Sequence, residues 1–114
     1  LLVLLALAAC KSDPPAPSPA EEARTNLLKE LRGAAAGAEF RKILAEEPGA
    51  TDLAKQDLKD ATARLGTIER RAIQNGLISE QIDPEVAAGQ KLGAENARQT
   101  LDDRAARKAA ESKP

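Results

Sequence analysis

The sequence contains no histidine, tryptophan, tyrosine or methionine, and Phe40 is its single aromatic residue. Without histidine, Ser/His and Cys/His catalytic arrangements and histidine-ligated metal sites are excluded. Aromatic side chains usually wall small-ligand pockets and stack on single-stranded nucleic acid. The lack of these residues predicts a protein that binds neither a small-molecule substrate nor nucleic acid.

Charge of one sign is also lacking, because 17 basic side chains face 18 acidic ones and the net charge is -1. Adjacent carboxylates occur at 21–22, 46–47 and 102–103, but sequence neighbours on a helix point apart. The sequence carries no phosphate-binding glycine loop and no calcium-loop pattern. We therefore predict no enzyme activity, no catalytic residue, no metal site and no cofactor.

Large apolar residues are few after Cys10, where roughly one residue in six is Leu, Ile, Val or Phe. At 114 residues the chain has room for one small domain at most. Its core is expected to be thin and its stability marginal, with dependence on a partner or on self-association. The alternative is a polar region that stays disordered until it meets a partner.

The only cysteine ends the single long apolar run, Leu1–Cys10, which reads LLVLLALAAC. The run is shorter than the about 20 residues that span a bilayer, but it fits the core of a signal peptide. Leu7, Ala8, Ala9 and Cys10 resemble the lipobox of bacterial lipoproteins. A shortened transmembrane anchor and an incidental cysteine are the alternatives.

The resemblance implies cleavage before Cys10, a thioether-linked diacylglycerol on its sulfur and usually a third acyl chain on its amino group. Two or three acyl chains anchor a protein stably. Lys11 follows the cysteine, and by resemblance to enteric lipoproteins this favours the outer membrane, facing the periplasm; Asp13 weakens that inference. The sequence begins without Met or a basic segment, and we expect these to precede Leu1.

Four prolines between Lys11 and Pro19 predict a tether outside the fold. The expected organisation is a partial signal peptide over 1–9, a lipidated cysteine and disordered Pro-rich linker over 10–18, and a helical region over 19–114. The fold class is all-α, a small hairpin or three-helix arrangement with helices at about 19–46, 52–75 and 84–110.

Ser18 as cap, Pro19 at the first helical position and Glu21 begin the first helix. This helix is expected to be either kinked or broken in two near Gly33, since each interior glycine costs about 1 kcal/mol. Gly33 and Gly37 have the Gly-x-x-x-Gly spacing that permits close contact with a neighbouring helix. We expect these two glycines to act as a plain hinge, with close contact to a neighbouring helix as the alternative.

The second helix, capped by Thr51 or Asp52, has the most regular apolar pattern in the chain. Its apolar positions alternate steps of four and three, as in a heptad seam. The seam packs against the first helix as an antiparallel hairpin, or it receives a partner protein or a second copy. The candidate interaction residues are Leu58, Ala61, Leu65 and Ile68.

Asn75-Gly76 is expected to cap the second helix, with Leu77 and Ile78 folding back on its last turn. A turn containing Ile82 should follow, and the third helix should begin with Asp83 as cap and Pro84 at the first helical position.

These features predict a non-catalytic, membrane-anchored helical lipoprotein of the bacterial envelope. We expect it to have a structural role or to mediate contact with a protein partner or a second copy. The alternative is a mobile-element effector lipoprotein for entry exclusion, lysis or immunity, which rests on size and anchoring alone.

Overall fold

The computed structural model describes residues 15–112, and within this range the chain forms three α-helices and no strand. The helices are α1 (Pro19–Ala45), α2 (Asp52–Gln74) and α3 (Ser79–Glu111). The predicted all-α class is confirmed, and so are the first two helices to within one residue at each end. The prediction for the linker lies largely outside the described residues, of which only 15–18 belong to it.

The predicted caps of α1 and α2 are formed by single hydroxyl groups. Ser18 Oγ accepts a hydrogen bond from the backbone N–H of Glu21 at 3.2 Å. Thr51 Oγ1 accepts one from the N–H of Ala54 at 3.1 Å, so Thr51 rather than Asp52 is the cap. Each bond satisfies one of the donors that a helix start leaves unpaired.

Helix α1 runs without interruption through Gly33 and Gly37. The alternative of two shorter helices broken near Gly33 is therefore wrong. The cost of two glycines is small beside the burial that a continuous helix allows, because Leu27, Leu31 and Ala35 all lie on its buried face.

Helix α2 ends in a Schellman motif at Gly76, whose φ is +88°. The N–H of Leu77 donates to the carbonyl of Ala72, and the N–H of Gly76 donates to that of Ile73, both at 3.0 Å. Leu77 folds back as expected and is buried. Ile78 does not fold back; it is extended and 57% exposed.

Helix α3 begins at Ser79, five residues before the predicted start at Pro84. The expected turn around Ile82 and the expected cap at Asp83 are wrong. The earlier start carries Ile82 into the apolar core, where it is buried, and costs only the hydrogen bond to Glu80 that Pro84 cannot donate. Instead of a hydroxyl cap, Gln81 Oε1 accepts from the N–H of Ile78 at 3.1 Å.

Helix α1 is the centre of the fold, because α2 and α3 both pack along it and make little contact with each other. Helix α2 returns antiparallel to α1, whereas α3 runs parallel to it, with Glu85 beside Arg32 and Gly93 beside Ala36. The core lies where the three helices meet near the start of α1, and its buried residues are Leu27, Leu31, Ile68, Ala72, Leu77 and Ile82.

No helix between residues 15 and 112 is both long and apolar enough to cross a bilayer.

Candidate functional site

The predicted seam of α2 is divided between the core and the surface. Ile68 is buried against Leu27 and Leu31, and Leu65 packs half-buried at the edge of the same core. Ala61 and Leu58, one and two turns before Leu65, are only half-buried. The seam therefore packs in the hairpin near the core, and its first half stays accessible.

Ala61 in that accessible half lines a groove of about 500 Å³ between α1 and α2. Gly33, Ala34 and Gly37 of α1 and Ala61 of α2 supply its small side chains. Because these residues are small, the two backbones leave a channel between them that no large side chain fills. The charged residues around it are Glu30, Arg41, Asp57, Asp60 and Arg64.

The rim of the groove is held in part by local hydrogen bonds. Arg41 Nη1 donates to the carbonyl of Gly37 at 3.1 Å, and Gln56 Nε2 donates to Asp60 Oδ1 at 2.9 Å. Both bonds join residues four apart on one helix, so they orient the rim without bridging α1 to α2. The two walls of the groove are not tied together by either bond.

Gly33 faces open space, since a Cβ built there meets no atom within 4 Å. At Gly37 a Cβ meets only the guanidinium end of Arg41, at 3.0 Å. The Gly-x-x-x-Gly spacing at 33 and 37 is therefore not used for a close helix contact within residues 15–112. This pair instead leaves the groove open.

A second glycine pair, Gly89 and Gly93 of α3, makes the close helix contact that was only an alternative for Gly33 and Gly37. A Cβ on Gly89 would lie 2.8 Å from Cβ of Ala35, and one on Gly93 would lie 3.0 Å from the carbonyl carbon of Ala36. The signal that could have found this contact is the same four-residue spacing, set against the alanine run 34–36.

One ion pair joins α1 to α3 next to this contact. Glu85 Oε2 accepts from both Nη2 and Nε of Arg32, each at 2.8 Å. The Arg32 side chain is 55% exposed, so solvent screening leaves the pair a small share of the stability. Its position is consistent with the parallel register of α3 on α1, which the backbone contacts of Gly89 and Gly93 also show.

The described residues offer little for acid–base or metal chemistry. No charged or polar side chain between 15 and 112 is buried, and no cluster of three or more Asp, Glu, Cys or His in that range could hold a metal ion. The lipidation site Cys10 and the lipobox residues Leu7, Ala8 and Ala9 lie outside the described residues. They remain predictions from the sequence.

No family model matches this chain, and no curated protein or solved structure matches it.

Proposed function

We propose that this chain is a small helical lipoprotein, anchored in the bacterial envelope through lipidated Cys10, with a non-catalytic structural or protein-interaction role. The observation that carries the proposal is Leu7-Ala8-Ala9-Cys10, which closes an apolar run and opens a proline-rich linker. Cleavage before Cys10 leaves a diacylglycerol anchor, the linker and the three helices. Lys11 favours the outer membrane, facing the periplasm.

The groove between α1 and α2 supports the protein-interaction part of the proposal. A helix from a partner protein, or from a second copy, gains close contact with Gly33 and Ala61 because neither presents a bulky side chain. The rim of the groove carries both positive and negative side chains. A partner helix with charges of both signs on either side of its contact face is therefore electrostatically complementary to the rim.

The anchor is tested by fractionating cells that express the full-length protein, with and without globomycin. We expect Cys10→Ala to release the protein from membranes, and globomycin to retain the uncleaved, diacylated precursor. Ser12→Ala, outside the lipobox, is the control and should fractionate as wild type. Membrane association that is unchanged by Cys10→Ala, with no globomycin-dependent precursor, overturns the anchor.

The groove is tested with a photo-crosslinking residue placed at Ala61, and at exposed Ala106 as control. We expect an adduct from position 61 that is lost when Gly33→Leu fills the groove. Because a side chain at 33 meets open space, this variant should keep its helicity and unfold at the wild-type temperature or slightly above it. Equal adducts from both positions, or adducts that survive Gly33→Leu, contradict a docking role.

A further inference from the structure

Two exposed isoleucines flank the Schellman motif between α2 and α3. Ile73, in the last turn of α2, is 63% exposed, and Ile78, just before α3, is 57% exposed. Leu77, which lies between them in the sequence, is buried, so the connection is packed against the core while the two isoleucines are exposed. Single exposed apolar residues are ordinary; here two flank the same turn, residues 73–78, which we call the α2–α3 corner.

The α2–α3 corner lies at the end of the fold where the linker joins. Helix α3 runs parallel to α1 with Glu85 paired to Arg32, so Ile78, seven residues before Glu85, stands at the level of Thr25. Thr25 is six residues into α1, or about 9 Å along its axis from Pro19 at 1.5 Å per residue. The linker and the exposed isoleucines therefore share one end of the molecule.

The linker keeps that end near the bilayer if Cys10 is lipidated. Pro19 is nine residues after Cys10, and nine Cα–Cα steps span at most about 30 Å. A tether this short makes any contact between the domain and the membrane intramolecular, at an effective concentration in the millimolar range. A weak apolar contact is then enough to orient the domain.

We propose that Ile73 and Ile78 insert into the headgroup–acyl boundary of the membrane to which Cys10 is anchored, so that the start of α1 and the α2–α3 corner face the bilayer. This inference rests on the proposed lipid anchor. The charges around the corner carry both signs, so the attraction is apolar and does not require anionic lipid. They are Glu69, Arg70, Arg71, Glu80 and Asp83.

The experiment uses the lipidated full-length protein with a polarity-sensitive fluorophore on one introduced cysteine. Ile73→Cys and Ile78→Cys are compared with Leu53→Cys, which is 70% exposed but lies 20 residues from Ile73, about 30 Å along α2. Cys10 is the only native cysteine, and a thioether on its sulfur leaves no other thiol to label. The protein is reconstituted into phosphatidylcholine vesicles with nitroxide-labelled lipid as quencher.

We expect at least twofold stronger lipid quenching at 73 and 78 than at 53, with a blue shift of emission at 73 and 78 alone. Equal quenching at the three positions, or stronger quenching at 53, overturns the inference. A blue shift in detergent that grows with protein concentration means that a second copy covers the corner, and this also overturns it.

Failure of the anchor itself is seen separately. If the wild-type protein, which has no introduced cysteine, takes up the fluorophore, its Cys10 thiol is free. If it does not float with the vesicles, it carries no acyl chain. Either result contradicts the proposed anchor. If instead the wild type floats with the vesicles and takes up no label, but the variants labelled at 73 and 78 show no quenching, only the proposed orientation is contradicted.

Discussion

Gly93 of α3 lies against the main chain of Ala36 in α1, with no room for a side chain between them. A Cβ on Gly93 would stand 3.0 Å from the carbonyl carbon of Ala36 and 3.1 Å from its Cα, and closer still to its carbonyl oxygen. Gly89 makes the equivalent contact one turn earlier, with Arg32, Ala35 and Ala36. Two backbones thus meet directly, which holds α3 on α1 with few large side chains.

The Gly93→Ala substitution is expected to destabilise the domain by about 1–3 kcal/mol, because overpacking against backbone is relieved only by moving a helix. Gly33→Ala is the matched control, since its Cβ enters open space and alanine gains about 1 kcal/mol over glycine in a helix. Urea unfolding followed by circular dichroism measures both. A Gly93→Ala protein as stable as Gly33→Ala contradicts the close contact.

Leu31→Ala should remove most of the stability of the fold. Leu31 is the largest fully buried side chain among residues 15–112, and truncation of a buried leucine costs about 2–5 kcal/mol. In a domain with so small a core we expect loss of cooperative thermal unfolding. Leu53→Ala, at a 70% exposed position, should melt within a few degrees of wild type. Similar melting of the two variants rules out the described core.

Thr51→Ala should cost about 0.5–2 kcal/mol, because the N–H of Ala54 loses its acceptor at the start of α2. Thr62 provides the control on the same helix, where its hydroxyl only donates to the carbonyl of Leu58. Thr62→Ala should be neutral or slightly stabilising, since alanine is the better helix former. Chemical denaturation of both variants distinguishes a capping hydroxyl from a redundant one.

The end of α3 should contribute nothing to global stability. Residues 102–112 are all exposed, whereas Ala97 is fully buried. Removing residues 102–114 is therefore expected to change the free energy of unfolding by less than about 0.5 kcal/mol. Removing 94–114 should destabilise the domain measurably.

Hydrogen exchange gives an independent check on the same segment. The amides of 102–111 should exchange orders of magnitude faster than those near Ala97, since an unsupported helix of that length is marginal in water. Protection equal to that of the core indicates that a second molecule or an unforeseen contact covers this segment.

Local chemistry is the part of the fold that the sequence reasoning predicted well. The Ser18 and Thr51 caps and the Gly76 terminator depend on a hydroxyl or a positive φ within four residues of the helix end. Fold class also followed from local pattern, because helix-start residues recur along the chain and the second helix has regular apolar spacing of three and four. These features need no knowledge of what packs against them.

The start of α3 was mispredicted because a local helix-start signal competes there with burial in the tertiary core. Asp83-Pro84 has the chemistry of a helix start, but burial of Ile82 and Leu77 in the core outweighs the hydrogen bond that Pro84 withholds from Glu80. The candidate site was only partly predictable for the same reason. The apolar periodicity of the seam predicted which face of α2 makes contacts. The division of that face into a buried end at Ile68 and an accessible end at Leu58 depends on how α1 and α3 pack.

The sequence by itself determined the helical class, the caps and the lipobox resemblance, because each depends on residues that are close together along the chain. Only the tertiary structure decided which of two identical glycine spacings is a contact. Gly89 and Gly93 meet the backbone of α1, whereas Gly33 and Gly37 border an open groove. Spacing gives the face of a helix on which two glycines lie, but the presence of another helix at that face is set by how α3 folds back along α1.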